Sequence, residues 1–121
     1  MKRVVLGLEK LLANPSEYLC GSTLGLIVNQ TSLTCDGQFS IGQFHSNKSF
    51  KLKALLAPEH GTYGVEQDMA LVADETDPLS GLSVQSLYGT DASSLTPSPT
   101  LLNGIDTVSY THLTLPTILL V

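Results

Sequence analysis

The sequence has no cluster of basic residues, no cysteine pair at metal-ligand spacing and no long apolar run. Each absence removes a class of function. Six Lys and Arg stand against eleven Asp and Glu, giving a net charge of −5 and a pI near 4.9. The cations are scattered apart from Lys2-Arg3 and Lys51/Lys53. Nucleic acid needs a clustered cationic footprint, so it is not an expected partner. Cys20 and Cys35 show no CxxC spacing and no histidine beside them, so no metal site is expected. Both are expected as buried or half-buried thiols of a reducing compartment rather than as a disulfide. No stretch approaches the roughly 20 apolar residues of a membrane span. The start, "MKRVVLGLEKLLANP", has a basic head, but Glu9 and Lys10 interrupt its apolar run and no small-residue cleavage site follows. No signal peptide is therefore read in the chain, which as given reads as cytoplasmic. GxGxxG, GxxxxGK[ST] and GxSxG are all missing, which leaves no dinucleotide fingerprint, no phosphate loop and no nucleophile elbow, and no cofactor is expected.

What is present is a globular composition. The 121 residues suffice for one domain, and 42% hydrophobic with 14% charged residues supplies a core. Val4, Leu8, Leu11 and Leu12 recur at helical spacing, and Asn14-Pro15 ends that pattern. "STLGLIVNQ" (22–30) is apolar without alternation, as in a strand buried on both faces of a parallel sheet. "CDGQ" (35–38) is a turn signal, with Asp36 expected to cap a short helix through Ile41 and Phe44. "FKLKALLA" (50–57) and "LSVQSLYG" (82–89) read as the second and third strands, and "TPSPTLLNGIDTV" (96–108) as a loop, a helical turn and the start of a fourth. Strands about 25 to 35 residues apart with crossovers between them indicate βαβ units and a parallel, Rossmann-like α/β sheet. The connection from 60 to 81 is long and polar, a length that in a compact domain points to function or poor order.

In such a sheet, ligands sit beyond the carboxyl ends of the strands. Polar clusters stand at those ends: Asn29-Gln30-Thr31, Glu59-His60-Gly61 and Tyr88-Gly89. If the strands are neighbours, one edge holds amides, a carboxylate, an imidazole and a phenol. Amides and an aromatic face suit a sugar. A carboxylate at the mouth of an apolar strand is partly desolvated, which raises its pKa and favours general-acid use. Pro58 stiffens the approach, and Gly61 lets the backbone turn. Bland readings stand beside these. Glu59 could cap the next segment, His60 could be a solvated loop residue, Asn29 and Gln30 could close a turn, and Tyr88 could pack. Asp74, Glu75 and Asp77 form an acidic run of the kind usually found in a solvated loop. Asn29-Gln30-Thr31 and Asn47-Lys48-Ser49 match the short glycosylation pattern.

These residues carry a resemblance. "VVLGLEKLL", "LGLIVNQTSLTCDGQ", "LKALLAPEHGTYG", "TDPLSGLSVQSLYG" and "LLNGIDTV" follow in order across positions 4 to 108. Together they resemble the N-terminal part of the bacterial exo-β-N-acetylmuramidases, a glycoside hydrolase family. The resemblance implies a Rossmann-like catalytic domain followed by an auxiliary domain. It implies release of terminal N-acetylmuramic acid from the non-reducing ends of peptidoglycan fragments, in cell-wall turnover and recycling, so the expected partner is a peptidoglycan-derived sugar or muropeptide. The family's proposed catalytic carboxylate lies in P-E-H-G, which is Glu59 here. Asn29, Gln30, His60 and Tyr88 match motif positions and carry over as substrate-binding residues of the cleft. The alternative function is a non-catalytic sugar- or peptidoglycan-binding module.

The chain departs from the family pattern in places. Leu55-Leu56-Ala57 replaces an aromatic approach to Pro58, Ser83 stands where Pro is common, and Ser32 stands where Gly often follows N-Q-T. After Val108 the family continues with a hydrophobic strand and a D-[IL]-Q-D type motif, whereas this chain reads "SYTHLTLPTILLV". That string resembles translated sequencing-adapter sequence. The expected division is therefore 1–108 as the N-terminal part of an incomplete catalytic domain, and 109–121 as a non-native tail. Most glycosidases use two carboxyl groups. Glu59 supplies one, and Asp74, Glu75 and Asp77 are the local candidates for the other.

Overall fold

A computed structural model of the chain describes residues 3–58, 61–65 and 75–110. Its core is a five-stranded sheet in the order β3-β4-β2-β1-β5. The strands are β1 (Thr23–Ile27), β2 (Lys51–Ala57), β3 (Glu75–Thr76), β4 (Ser83–Ser86) and β5 (Thr107–Tyr110). β1 lies parallel between β2 and β5, and β2 pairs parallel with β4. Among the described strands only the two-residue β3 runs antiparallel, against β4. The sheet is thus a mostly parallel α/β sheet of Rossmann-like type.

The apolar runs become strands because both of their faces are covered. Leu24, Leu26 and Val28 of the β1 run, with Leu52, Leu55 and Ala57 of β2 and Val84 of β4, join one buried cluster with Ile41 and Phe44. Those last two belong to α3 (Ser40–Ser46), and Leu8, Leu11 and Leu12 of α1 (Gly7–Ala13) pack on the same cluster. The intervening residues serve the opposite face. The Gly25 α-carbon sits so close to Ile105 and Val108 that an added methyl would lie 3.3–3.4 Å from them. Leu56, fully buried, pairs with Gln85, whose Oε1 accepts the Ser98 hydroxyl at 3.2 Å. Ser98 in turn caps α4 (Pro99–Leu102), its Oγ accepting the Leu101 N–H. α3 and α4 therefore cover opposite faces. Right-handed crossovers demand this when β1→β2 and β4→β5 step in opposite directions.

Two local expectations are corrected. Asp36 does not cap α3: its N-cap is Phe39, with no side-chain acceptor, although the expected turn forms around Gly37 at φ +77°. Both cysteines are free and exposed rather than buried. α1 ends at Ala13, and Pro15 opens α2 (Pro15–Tyr18), where its missing N–H costs no hydrogen bond. The strand that begins at Thr107 runs through Tyr110, and positions 111–121 lie outside the described residues. None of the described helices is long and apolar enough to cross a membrane.

Candidate functional site

The parallel register brings the strand ends to one edge. The ladder continues past each strand: Val28 donates to the Leu56 carbonyl at 3.1 Å, and Leu87 donates to the Ala57 carbonyl at 2.7 Å. Asn29, Pro58 and Leu87 therefore begin three neighbouring loops at about the same level. Asn29 and Tyr88 stand on the outer two, separated by two strand spacings, about 10 Å.

At the end of β1 the chain turns on Asn29. Its Oδ1 accepts the Thr31 N–H at 3.0 Å and the Thr31 hydroxyl at 2.7 Å, an Asx turn. Asn47, in the second glycosylation-like triplet, does the same with the Ser49 N–H at 2.9 Å. The half-buried Asn29 thus spends its carbonyl oxygen on the turn. Gln30, by contrast, reaches across. An added methyl on Gly64 would meet the Gln30 Cδ at 2.6 Å and its Oε1 at 2.9 Å, so the carboxamide lies directly on that glycine.

Gly64 belongs to the turn that follows P-E-H. Glu59 and His60 themselves lie outside the described residues. Their flanks are held together, because the Gly61 N–H donates to the Pro58 carbonyl at 3.1 Å. Gly61 and Gly64 both take positive φ, +74° and +70°. Between them, Tyr63 packs edge-on against Phe39, centroids 5.2 Å apart, and donates its hydroxyl to Asp77. Burial, and then the Asp77 carboxylate, raise the Tyr63 pKa above the ordinary phenol value.

Asp77 corrects the reading of the acidic run as a solvated loop. It is fully buried. Its Oδ2 accepts the Ser80 N–H and hydroxyl, both at 2.6 Å, and its own N–H donates to the Leu82 carbonyl. Glu75 is exposed on the edge strand, and Asp74 lies outside the described residues. Tyr88 is half-buried at the end of β4, its N–H donating to the Ser86 hydroxyl at 3.0 Å.

The structure thus joins Gln30 to the turn after P-E-H-G and places Asn29 and Tyr88 on the same rim. Sequence reasoning passed over Tyr63. The signal was present in an aromatic residue between two closely spaced glycines, a tight turn that fixes what it presents. A separate cavity of about 440 Å³ lies between α1, the end of β1 and β5, walled by Leu6, Leu26, Val28, Phe44 and Tyr110. Asn29, Gln30 and Tyr88 do not line it. It sits where strand order reverses around β1, but its wall is mainly apolar, so the polar rim is the better place for a hydrophilic ligand. Among the described residues, no three His, Cys, Asp or Glu side chains gather as metal ligands.

A Rossmann-like α/β sheet with its polar groups beyond the carboxyl ends of parallel strands is the class that the fold and the site define. Residues 24–111 match the family described as exo-β-N-acetylmuramidase NamZ, N-terminal. The chain belongs to that family. It is 32% identical over 108 residues to the peptidoglycan β-N-acetylmuramidase NamZ of Bacillus subtilis (strain 168), a match covering 89% of this chain and 25% of the relative. It also resembles the crystal structure of a DUF1343-family protein from Bacteroides fragilis, with TM-score 0.70 and 32% identity over 90% of this chain and 26% of the other. The chain therefore spans about a quarter of the length of the relatives it matches.

Proposed function

We propose that this chain is the N-terminal part of a glycoside hydrolase catalytic domain that releases terminal N-acetylmuramic acid from the non-reducing ends of peptidoglycan fragments. Residues 1–108 form that part, with β5 continuing it through Tyr110, and the segment beyond takes no part in the chemistry. Glu59 is the general acid that protonates the departing sugar oxygen. Asn29, Gln30, His60 and Tyr88 hold the sugar along the rim. The observation that carries this reading is the packing of Gln30 on Gly64, because it joins the amide at the end of β1 to the turn that directly follows P-E-H. The family membership supports the reaction class, and the name of the Bacillus relative supports the substrate. A role in cell-wall recycling follows from that substrate.

The chain by itself is expected to turn over weakly or not at all, so the test is release of N-acetylmuramic acid from a chromogenic muramide by the full-length protein of which it is a part. General-acid catalysis is worth about 10²–10⁴-fold, so Glu59→Gln should lower the rate by that order. Retained turnover in that variant would take Glu59 out of the mechanism.

A second reading is a sugar-binding module without turnover. One observation favours it: Asp77, a candidate second carboxyl group, is buried and committed to Tyr63 and Ser80. It predicts chemical-shift changes at Asn29 and Tyr88 on adding N-acetylmuramic acid, with no product. Absence of any shift at millimolar sugar would end it.

A further inference from the structure

Tyr63 is the point at which three segments of the rim meet. Its ring lies against Phe39, which comes from the connection after β1. Phe39 is itself bridged to Leu33, and the Ser40 N–H donates to the Ser32 carbonyl, so this connection is tied back to the end of β1. The Tyr63 hydroxyl donates to Asp77, the buried first residue of the turn that precedes β4. The next residue, Gly64, carries the Gln30 carboxamide on its α-carbon. Asp77 is held in turn by its own acceptor bonds from Ser80 and by its N–H on the Leu82 carbonyl at the entry to β4.

We propose that Tyr63 and Asp77 are a positioning pair: their hydrogen bond clamps the 61–64 turn to the β4 side of the sheet and so places the Gln30 carboxamide at the rim. The pair touches no substrate itself. The carboxylate has the chemistry for this. One oxygen takes the phenol and the other takes the Ser80 N–H and hydroxyl, so each oxygen is already used and Asp77 is not available as a second catalytic acid. A phenol is protonated across the neutral range, so the Tyr63 hydroxyl is the donor and the carboxylate the acceptor. Gly64 is required at its position twice over, by its φ of +70° and by the carboxamide that lies on it. A side chain as free as exposed glutamine gains binding value when its geometry is set before the ligand arrives, because the ordering cost is already met.

That the placed carboxamide binds a sugar rests on the function proposed above, whereas the placement itself does not. The two are read separately in the isotopically labelled full chain by NMR. Without sugar, the measured quantity is the nuclear Overhauser contact between the Gln30 side-chain amide and the Gly64 α-protons. Tyr63→Phe keeps the ring against Phe39 and removes only the hydroxyl. It should lose this contact, and it should weaken N-acetylmuramic acid binding by about five- to tenfold, the weight of one hydrogen bond. A folded Tyr63→Phe with the contact and the affinity intact overturns the clamp, whatever happens to its melting temperature. If Tyr63→Phe does not fold, Asp77→Ala replaces it. Alanine leaves the Tyr63 hydroxyl no side-chain partner at position 77, so the same loss is expected, and an unchanged contact overturns the proposal. If the unaltered chain binds no N-acetylmuramic acid, the functional reading fails, while the sugar-free contact still decides the clamp.

Discussion

The Asp106 carboxylate accepts the Thr23 N–H at 2.9 Å and the Ser22 N–H at 3.0 Å, binding the entry to β5 to the entry of β1 across more than eighty residues of chain. The Asp106 N–H returns a bond to the Thr23 carbonyl. Gly21, at φ +107°, leaves the room the carboxylate occupies, since an added methyl there would lie 2.5–2.6 Å from its atoms. The G-I-D segment is therefore a fastener at the amino-terminal edge of the sheet, away from the rim. Asp106→Ala should lower stability by about 1–2 kcal/mol, because the freed N–H groups recover only part of the bond from water. Urea denaturation measures it, and an unshifted midpoint would show that strand pairing alone fixes β5.

The sheet's centre predicts a larger effect. Leu55 is fully buried and pairs with both Leu26 and Val84. Leu55→Ala should cost about 2–5 kcal/mol through lost apolar burial and the cavity left behind. Leu79 is 55% exposed, so Leu79→Ala should stay within about 0.5 kcal/mol. Equal costs for the two would contradict the core described here.

Two glycines separate backbone strain from contact. Gly37 and Gly64 have similar positive φ, +77° and +70°, but only Gly64 has a neighbour where a methyl would go. Gly37→Ala should cost about 1–2 kcal/mol, the penalty of left-handed backbone for an L-residue. Gly64→Ala should cost more than that, because Gln30 must also move. Thermal melts of the pair give the comparison, and a smaller loss for Gly64→Ala would mean that Gln30 does not pack there.

Alkaline pH should test the phenol. The Tyr63 pKa is raised in the folded chain, so folding favours the protonated form. That contribution is fully present below the unfolded-chain value of about 10 and is lost as pH rises above it. The unaltered chain should therefore lose stability above about pH 10 more steeply than Tyr63→Phe, which has no such group to titrate. Parallel slopes in denaturation midpoint against pH would remove the Tyr63 contribution.

Much of the sheet was legible. An apolar stretch without alternation, "LGLIV", can be buried only on two faces, and it became β1 between two parallel neighbours. Asn14-Pro15 closed α1 as its chemistry requires. The expected roles at the rim divided. Asn29 gives its carbonyl oxygen to a local turn, which its spacing to Thr31 allowed from the start. Gln30 reaches forward onto Gly64, some thirty residues further along the chain, which no local pattern encodes. Asp77 reads as one of several exposed acids until the Tyr63 hydroxyl and the turn to Ser80 enclose it. Asp36 has the side chain of a helix cap but lies three residues too early for Phe39's position.

The sequence by itself determined where apolar runs must be buried, where glycine and proline stop them, and hence a parallel α/β sheet with polar groups beyond its strand ends. Those are consequences of solvation and backbone sterics, which act over a few neighbouring residues. Only the tertiary structure decided which of those groups meet. The contacts of Gln30 with Gly64, Tyr63 with Asp77, and Asp106 with Thr23 depend on strand order and crossover direction, and these follow from the packing of the whole sheet rather than from any single segment.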